Sequence, residues 1–265
     1  MVDVYRYVDG DGPLLVSMPH DGTVIPEAIA DSMTEQGRAV PDTDWHVRRL
    51  YDFLDGTETH LLCANYSRFV IDLNRPADGT ALYPGRDETS LCPVSSFDRE
   101  AIYKPGAEPD QDAIQLRIQR YWRPYHQQLQ AILERIRDRY GYALLWDAHS
   151  IRSRVPRFFN GRLPDFNLGT ANGLTCPDSV LDKLHSVVVN DGKFSVVSNA
   201  RFKGGFITRH YASAAEKIFT VQLELAQSTY MDEAATHAYR PQLAARVRPL
   251  IEEMLKRFQA EVLAS

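Results

Sequence analysis

Apolar residues recur along this chain with two different periods. Runs rich in β-branched and other apolar residues at about 14–18, 59–64, 68–73, 142–146, 194–198 and 217–225 predict strands. Three-and-four spacing at about 44–54, 110–140, 178–189 and 236–262 predicts helices. In the second of these, Ile114, Ile118, Tyr121, Tyr125, Leu129, Ile132, Ile136 and Tyr140 form one stripe, the face a helix buries. Pro124 lies inside that stripe; it lacks a backbone donor and should kink or split the helix. Near the end, Leu243, Val247, Leu250, Ile251, Met254, Leu255 and Phe258 form another stripe among charged residues. Alternating strands and helices predict an α/β fold with helices on both faces of a central sheet.

Two stretches break the pattern. Residues 75–110 are rich in Pro, Gly, Asp and Ser, and read either as a functional loop or lid or as a surface insertion. Residues 152–177 are also irregular. No Gly/Ser linker divides the chain, so residues 1–265 are expected to form a single domain.

The net charge of −5 and the lack of a basic run interleaved with aromatics argue against nucleic acid as a partner. No apolar run approaches the roughly 20 residues of a membrane span, and the acidic start lacks the apolar core of a secretory signal. Cys63, Cys92 and Cys176 are odd in number and contain no C-x-x-C. They fit reduced thiols, hence a cytoplasmic location, better than a disulfide framework or a thiolate zinc site.

The chemistry sits at strand ends. The run Tyr142–Trp146 delivers Asp147-Ala-His149-Ser150, the run Leu14–Met18 delivers Pro19-His20-Asp21-Gly22, and the last strand carries Glu224. Imidazole nitrogen and carboxylate oxygen are the ligands zinc takes in hydrolases. Strand ends of an open α/β sheet can bring distant ligands together. His149, with an acid two residues earlier to orient it, and His20 are therefore candidate metal ligands; a core or capping histidine is the plainer alternative. For a third ligand the nearby acids are Asp21, Glu27, Asp42 and Asp44. Asp44 is the choice, against an ordinary helix N-cap. Glu224 shares a strand face with Gln222, and is the candidate general base.

Arg68, Asp72, Asn74 and Arg75 cluster after an apolar run. Several arginines near a metal suggest a substrate with more than one carboxylate, because guanidinium pairs with that group as a planar fork. Arg209-His210, after Gly204-Gly205, could hold an anion or orient the scissile carbonyl. G-x-S-x-G, H-E-x-x-H, a P-loop and a G-x-G-x-x-G after the first strand are all absent, which removes the serine hydrolases, the zincins and nucleotide sites signalled by those motifs.

Taken in order, Ser17-Met-Pro-His-Asp-Gly22, Asp42-Thr-Asp-Trp45, Ser67-Arg-Phe-Val-Ile-Asp-Leu-Asn-Arg75, Trp146-Asp-Ala-His-Ser-Ile151, Gly161–Thr170, Gly204-Gly-Phe-Ile-Thr-Arg-His210 and Gln222-Leu-Glu224 resemble the N-formylglutamate amidohydrolase family over about residues 12–230. The resemblance implies hydrolysis of N-formyl-L-glutamate to formate and L-glutamate, late in histidine degradation. The family is similar to the zinc carboxypeptidase and aspartoacylase group. That likeness implies a phosphorylase/hydrolase-like mixed sheet and one divalent ion, zinc foremost, on His20 and His149, with Asp44 read here as the acid that completes the set. It also implies Glu224 as base, Arg68 or Arg209 at the oxyanion, and Asn74, Arg75, Arg209 and His210 on the substrate carboxylates. The broader group's second ligand is the Glu of H-x-x-E, and Thr23 stands in that place here. The expected partner is a small acylamino acid, and the expected state a monomer or small homo-oligomer. A related deacylase, or a binding protein that keeps the pocket, are the alternatives. An arginase-like reading of Asp147-Ala-His149 is opposed by Ile151, where that pattern has an acid.

Overall fold

In the computed structural model, which describes residues 2–82, 85, 87–234 and 236–262, seven strands form one sheet. They are β1 (Tyr5–Val8), β2 (Leu14–Met18), β3 (His60–Ala64), β4 (Ala143–Ile151), β5 (Phe166–Gly169), β6 (Val196–Ser198) and β7 (Ile218–Ala226), in the order β1-β3-β2-β4-β7-β5-β6. The centre β3-β2-β4-β7 is parallel, whereas β1 runs antiparallel to β3 and β5 antiparallel to β7. The sheet is therefore mixed, and the carboxyl ends of β2, β4 and β7 share one edge.

The helices are α1 (Glu27–Ala30), α2 (Glu35–Arg38), α3 (Val47–Leu50), α4 (Gln111–Arg117), α5 (Arg123–Tyr140), α6 (Asp178–Asp191), α7 (Phe206–His210) and α8 (Pro241–Val262). Side-chain alternation along the strands assigns them to the two faces. Val16, Trp146, Val221 and Leu223 pack with Leu184 of α6 and Met254 and Phe258 of α8. Leu15, Leu145 and Ile218 pack on the opposite side with Tyr125, Leu129, Ile132 and Ile136 of α5. Of the stripe read over 110–140, Ile118, Tyr125, Leu129, Ile132 and Ile136 are buried, Ile114 and Tyr121 are half-buried and Tyr140 is exposed, and the helix is interrupted just before Pro124. A π-helical turn, Ile118–Trp122, joins α4 to α5, with Pro124 in the first turn of α5 where its missing donor costs little.

Three expectations need correction. Residues 68–73 are not a strand but a buried series of turns. Their apolar side chains are buried, but side chains take their carbonyls: Tyr103 donates to Phe69 O (3.2 Å), Arg117 to Val70 O (3.1 Å) and His126 to Leu73 O (2.9 Å). The helix over 44–54 contracts to α3 plus a 3-10 turn, Asp52–Leu54. The irregular stretch 152–177 contains β5, which seats the β6 edge on β7. Residues 75–110 form no helix or strand among the described residues, and Tyr83, Pro84 and Arg86 of that loop lie outside them.

Candidate metal centre and active-site cavity

The site is built on the register of two parallel strands. His149 of β4 stands opposite Glu224 of β7, and Asp147 stands opposite Gln222. Alternation puts these four side chains on one face at the carboxyl edge, the place where open α/β sheets form ligand crevices. β2 ends beside them and leads directly to His20.

His20, Asp44 and His149 are all buried and offer one ligand atom each within 4.8 Å of one another. His149 Nδ1 lies 3.1 Å and His20 Nδ1 3.8 Å from Asp44 Oδ2. Each ring's other nitrogen meets a further carboxylate: His20 Nε2 lies 2.8 Å from Asp72 Oδ1, and His149 Nε2 3.1 Å from Asp147 Oδ2. Asp44 is therefore no helix cap. Its Oδ2 accepts from Ser150 N at 3.0 Å, while the Arg48 amide in the first turn of α3 donates to Asp21 (3.2 Å).

Asp72 sits at the hub of the turns that replaced the predicted strand. It binds His20, pairs with Arg68 Nη2 (2.6 Å) and accepts from Asn74 N (2.9 Å). The Asn74 amide oxygen is fixed by Ile207 N at 2.8 Å, and its Nδ2 comes to 3.0 Å from His149 Nε2. That ring nitrogen either donates to Asp147 or accepts from Asn74. The segment is held from outside by Trp122 Nε1 on Arg75 O (2.9 Å) and His126 on Leu73 O, so the π turn and the start of α5 set where Asn74 stands.

Opposite charges meet within this buried cluster. Burial and the neighbouring Arg68 push the His20 pKa down, outweighing Asp72 and Asp44. Burial also opposes a proton on His149, but Asp147 and Asp44 prevail and raise its pKa well above the ordinary value. Burial would raise Asp72, yet Arg68 and His20 hold it well below the usual carboxylate range. Burial pushes Glu224 up to about 8, with the His149 charge pulling the other way. A neutral His20 that donates from Nε2 to Asp72 turns a lone pair toward the Asp44 carboxylate with no proton between them. Two imidazole nitrogens and a carboxylate oxygen converging on such a gap fit a divalent cation, and carboxylates behind both rings fix the tautomers that leave Nδ1 for it.

The centre opens on a cavity of about 620 Å³, part of it continuous with solvent. Arg68, Asn74, Arg75, Gln222 and Glu224 line it as the sequence suggested. Arg209 and His210 do not: Arg209 Nε donates to Gly204 O (2.9 Å), which precedes α7, and the exposed His210 stacks on Phe206 with centroids 4.6 Å apart. Among the described residues, Arg201 also lines the cavity, accompanied by Phe97, Phe158 and Phe202. These residues lie in aperiodic segments, and Arg201 opens the same Arg-Phe-Lys-Gly-Gly run that leads to Arg209-His210. The loop over 75–110 supplies Arg75, Asp87, Glu88, Thr89 and Phe97, and is tied down where Asp42 accepts from Phe97 N at 2.8 Å.

A buried imidazole–carboxylate centre at the carboxyl edge of a mixed sheet, beside a glutamate of raised pKa, marks the chain as an α/β enzyme. Comparison with known proteins narrows the class. The chain belongs to the N-formylglutamate amidohydrolase family, whose profile matches residues 12–231. It is similar to the N-formylglutamate deformylases of Pseudomonas putida and Pseudomonas aeruginosa, each 46% identical over 256 residues that cover 97% of this chain and 96% of the relative. Among solved structures, N-formylglutamate amidohydrolase from Ralstonia eutropha JMP134 superposes with a TM-score of 0.82 at 26% identity over 98% of each chain. A gene product of Agrobacterium tumefaciens shares the fold with a TM-score of 0.73 at 16% identity, over 98% of this chain and 94% of that one. No helix among the described residues is long and apolar enough to cross a membrane.

Proposed function

We propose that the chain hydrolyses the formamide bond of N-formyl-L-glutamate to formate and L-glutamate, as a step of histidine degradation, with one divalent ion, zinc, held by His20, Asp44 and His149. The observation that carries the reading is the His149–Glu224 register pair, which sets a candidate base beside the ligand cluster in one cavity. The family relationship supplies the substrate.

When bound, the ion supplies Lewis acidity, polarising the formyl carbonyl and acidifying a nearby water. Glu224 receives the proton of the attacking water on its carboxylate and delivers it to the departing amide nitrogen. Its raised pKa suits both halves of that task, since a base that must later act as an acid works best near the operating pH. Arg68 lines the cavity between Asp72 and Asp44 and is the guanidinium nearest this cluster to meet negative charge developing on the carbonyl oxygen. Asn74 and Arg75 hold substrate beside His149.

The test is release of formate and glutamate from N-formyl-L-glutamate by protein stripped of metal and then resupplied with zinc, cobalt or manganese. Metal-dependent release supports the whole reading. Cleavage of N-acetyl or N-succinyl amino acids instead would transfer the protein to a related deacylase, and tight binding without any turnover would make it a binding protein.

A further inference from the structure

We infer that Gln227 and Tyr230 are positioning residues for the metal centre: from the turn after β7 they grip the backbone on either side of Asp44 and so fix where its carboxylate meets the ion. The inference rests on the reading of Asp44 as a metal ligand and deepens it. Asp44 lies in a loop, so its place depends on what holds the chain around it. Its own amide donates to His20 O at 3.0 Å, which ties the loop to the ligand that follows β2. The carbonyls of its two neighbours are held from elsewhere. Gln227 Nε2 donates to Thr43 O at 2.9 Å, and the Tyr230 hydroxyl donates to Trp45 O at 2.8 Å.

Ser150 joins the two clamps. Its hydroxyl lies 2.7 Å from the Tyr230 hydroxyl and 3.3 Å from Gln227 Nε2. Carbonyls only accept, so Gln227 must present its amide nitrogen to Thr43, and the single phenolic proton must go to Trp45 O. Ser150 then donates its proton to Tyr230 and accepts from Gln227. The chain has one direction, and Gln227, Ser150 and Tyr230 are all buried; a donor lost from it leaves an acceptor unpaired away from water. Ser150 also gives its amide to Asp44 Oδ2 at 3.0 Å, so it meets both the carboxylate and the clamps on its loop. The origin of the clamps ties them to the chemistry. Gln227 opens the 3-10 turn Gln227–Thr229 directly after β7, and Glu224 lies three residues earlier on that strand. One element thus carries the candidate base and the grip on the metal's carboxylate, which fixes their spacing. Neither Gln227 nor Tyr230 lines the cavity, so both act through Asp44 rather than on substrate.

The experiment measures zinc affinity by chelator competition, and the visible spectrum of the cobalt-loaded protein, in wild type, Gln227→Met, Tyr230→Phe, the double variant and Ile132→Ala. Methionine and phenylalanine keep the buried bulk and remove only the donors. Ile132 is buried in α5 on the opposite face of the sheet, so its truncation lowers stability without touching the loop around Asp44. Each single variant is expected to lower zinc affinity about tenfold, and the double variant up to about 100-fold, as loss of the supports behind a metal ligand does. The cobalt bands should change in position or intensity in the double variant, whereas Ile132→Ala should keep the wild-type affinity and spectrum. Wild-type affinity and spectrum in the double variant, or an equal loss of affinity in Ile132→Ala, would overturn the assignment. If wild type takes up neither ion, the metal reading fails by itself. The clamps are then read in a crystal structure of the double variant: loss of the 3.1 Å approach of Asp44 Oδ2 to His149 Nδ1 would sustain the positioning role, and its retention would overturn it.

Discussion

His20 and His149 stand with ring centroids 4.9 Å apart, and each turns Nδ1 to the same Asp44 oxygen and Nε2 to a carboxylate of its own. The two rings thus share one ligand direction while drawing orientation from separate sources, Asp72 on the 68–75 turns and Asp147 on β4. Asp72→Asn and Asp147→Asn should each lower zinc affinity about 10- to 100-fold, and Asp44→Ala should lower it further. Competition with a chromophoric chelator reads this directly. Unchanged affinity in both asparagine variants would remove the orienting role.

The same geometry gives metal uptake a sign with pH. Burial notwithstanding, Asp147 and Asp44 hold a proton on His149 well above the ordinary histidine range, and that proton must leave before Nδ1 can act as a ligand. Affinity should therefore rise with pH, by up to about tenfold per unit while His149 titrates. Calorimetry in buffers of different ionisation enthalpy should record release of close to one proton at neutral pH.

Glu224→Gln preserves the shape of the cavity and removes the proton acceptor. Turnover should fall by roughly 100- to 10,000-fold, with KM and zinc content near wild type. Loss of zinc together with activity would instead make Glu224 part of the metal site, and normal turnover would leave it without a role in proton transfer.

The central fold was legible because its signals are local. Leu14–Met18, Tyr142–Trp146 and Ile218–Leu225 are apolar runs that pair as β2, β4 and β7, and the polar residues at their ends carry the centre. The residues at 68–73 misled because an apolar run reports burial, while a strand also needs a backbone partner. Here Arg117, Tyr103 and His126, distant in sequence, satisfy the carbonyls instead. Sequence position alone barely separates Asp44 from Asp21, Glu27 and Asp42; only the tertiary structure puts its carboxylate on His149 and Ser150. Arg201 carried no periodic signal, and its place in the cavity depends on Phe158, 43 residues away.

Gly205 admits no side chain. A Cβ there would lie 2.3 Å from Asn74 Nδ2 and 2.5 Å from Asn74 Oδ1, and its φ of −82° makes this a steric constraint rather than a backbone one. Gly205→Ala should cost about 1–3 kcal/mol of stability and displace Asn74 from His149, with at least about tenfold loss of kcat, as misplaced active-site groups produce. Adding Asn74→Ala removes the clash. The double variant should recover its unfolding midpoint but not its activity; recovery of both would mean that Asn74 is not needed.

His126 provides a pH test away from the centre. Burial lowers its pKa from 6.5 to about 3, although its hydrogen bond to Leu73 O works the other way. The ring is held neutral, donating from Nε2 to Leu73 O and accepting from the Tyr211 hydroxyl at Nδ1 (2.8 Å). Between pH 6.5 and about 3 the unfolded chain therefore binds a proton that the folded chain refuses. Stability from this residue is complete above the upper value and is lost as pH falls through the window, with a slope of at most about 1.4 kcal/mol per pH unit. His126→Gln retains an amide donor for Leu73 O and has no proton to bind. Urea unfolding from pH 7 to pH 4 should show wild type losing stability faster than the variant by up to that slope. Parallel curves would mean that the ring is protonated in the folded state, and that the Leu73 carbonyl, and with it the Asn74 turn, is held by a charged histidine.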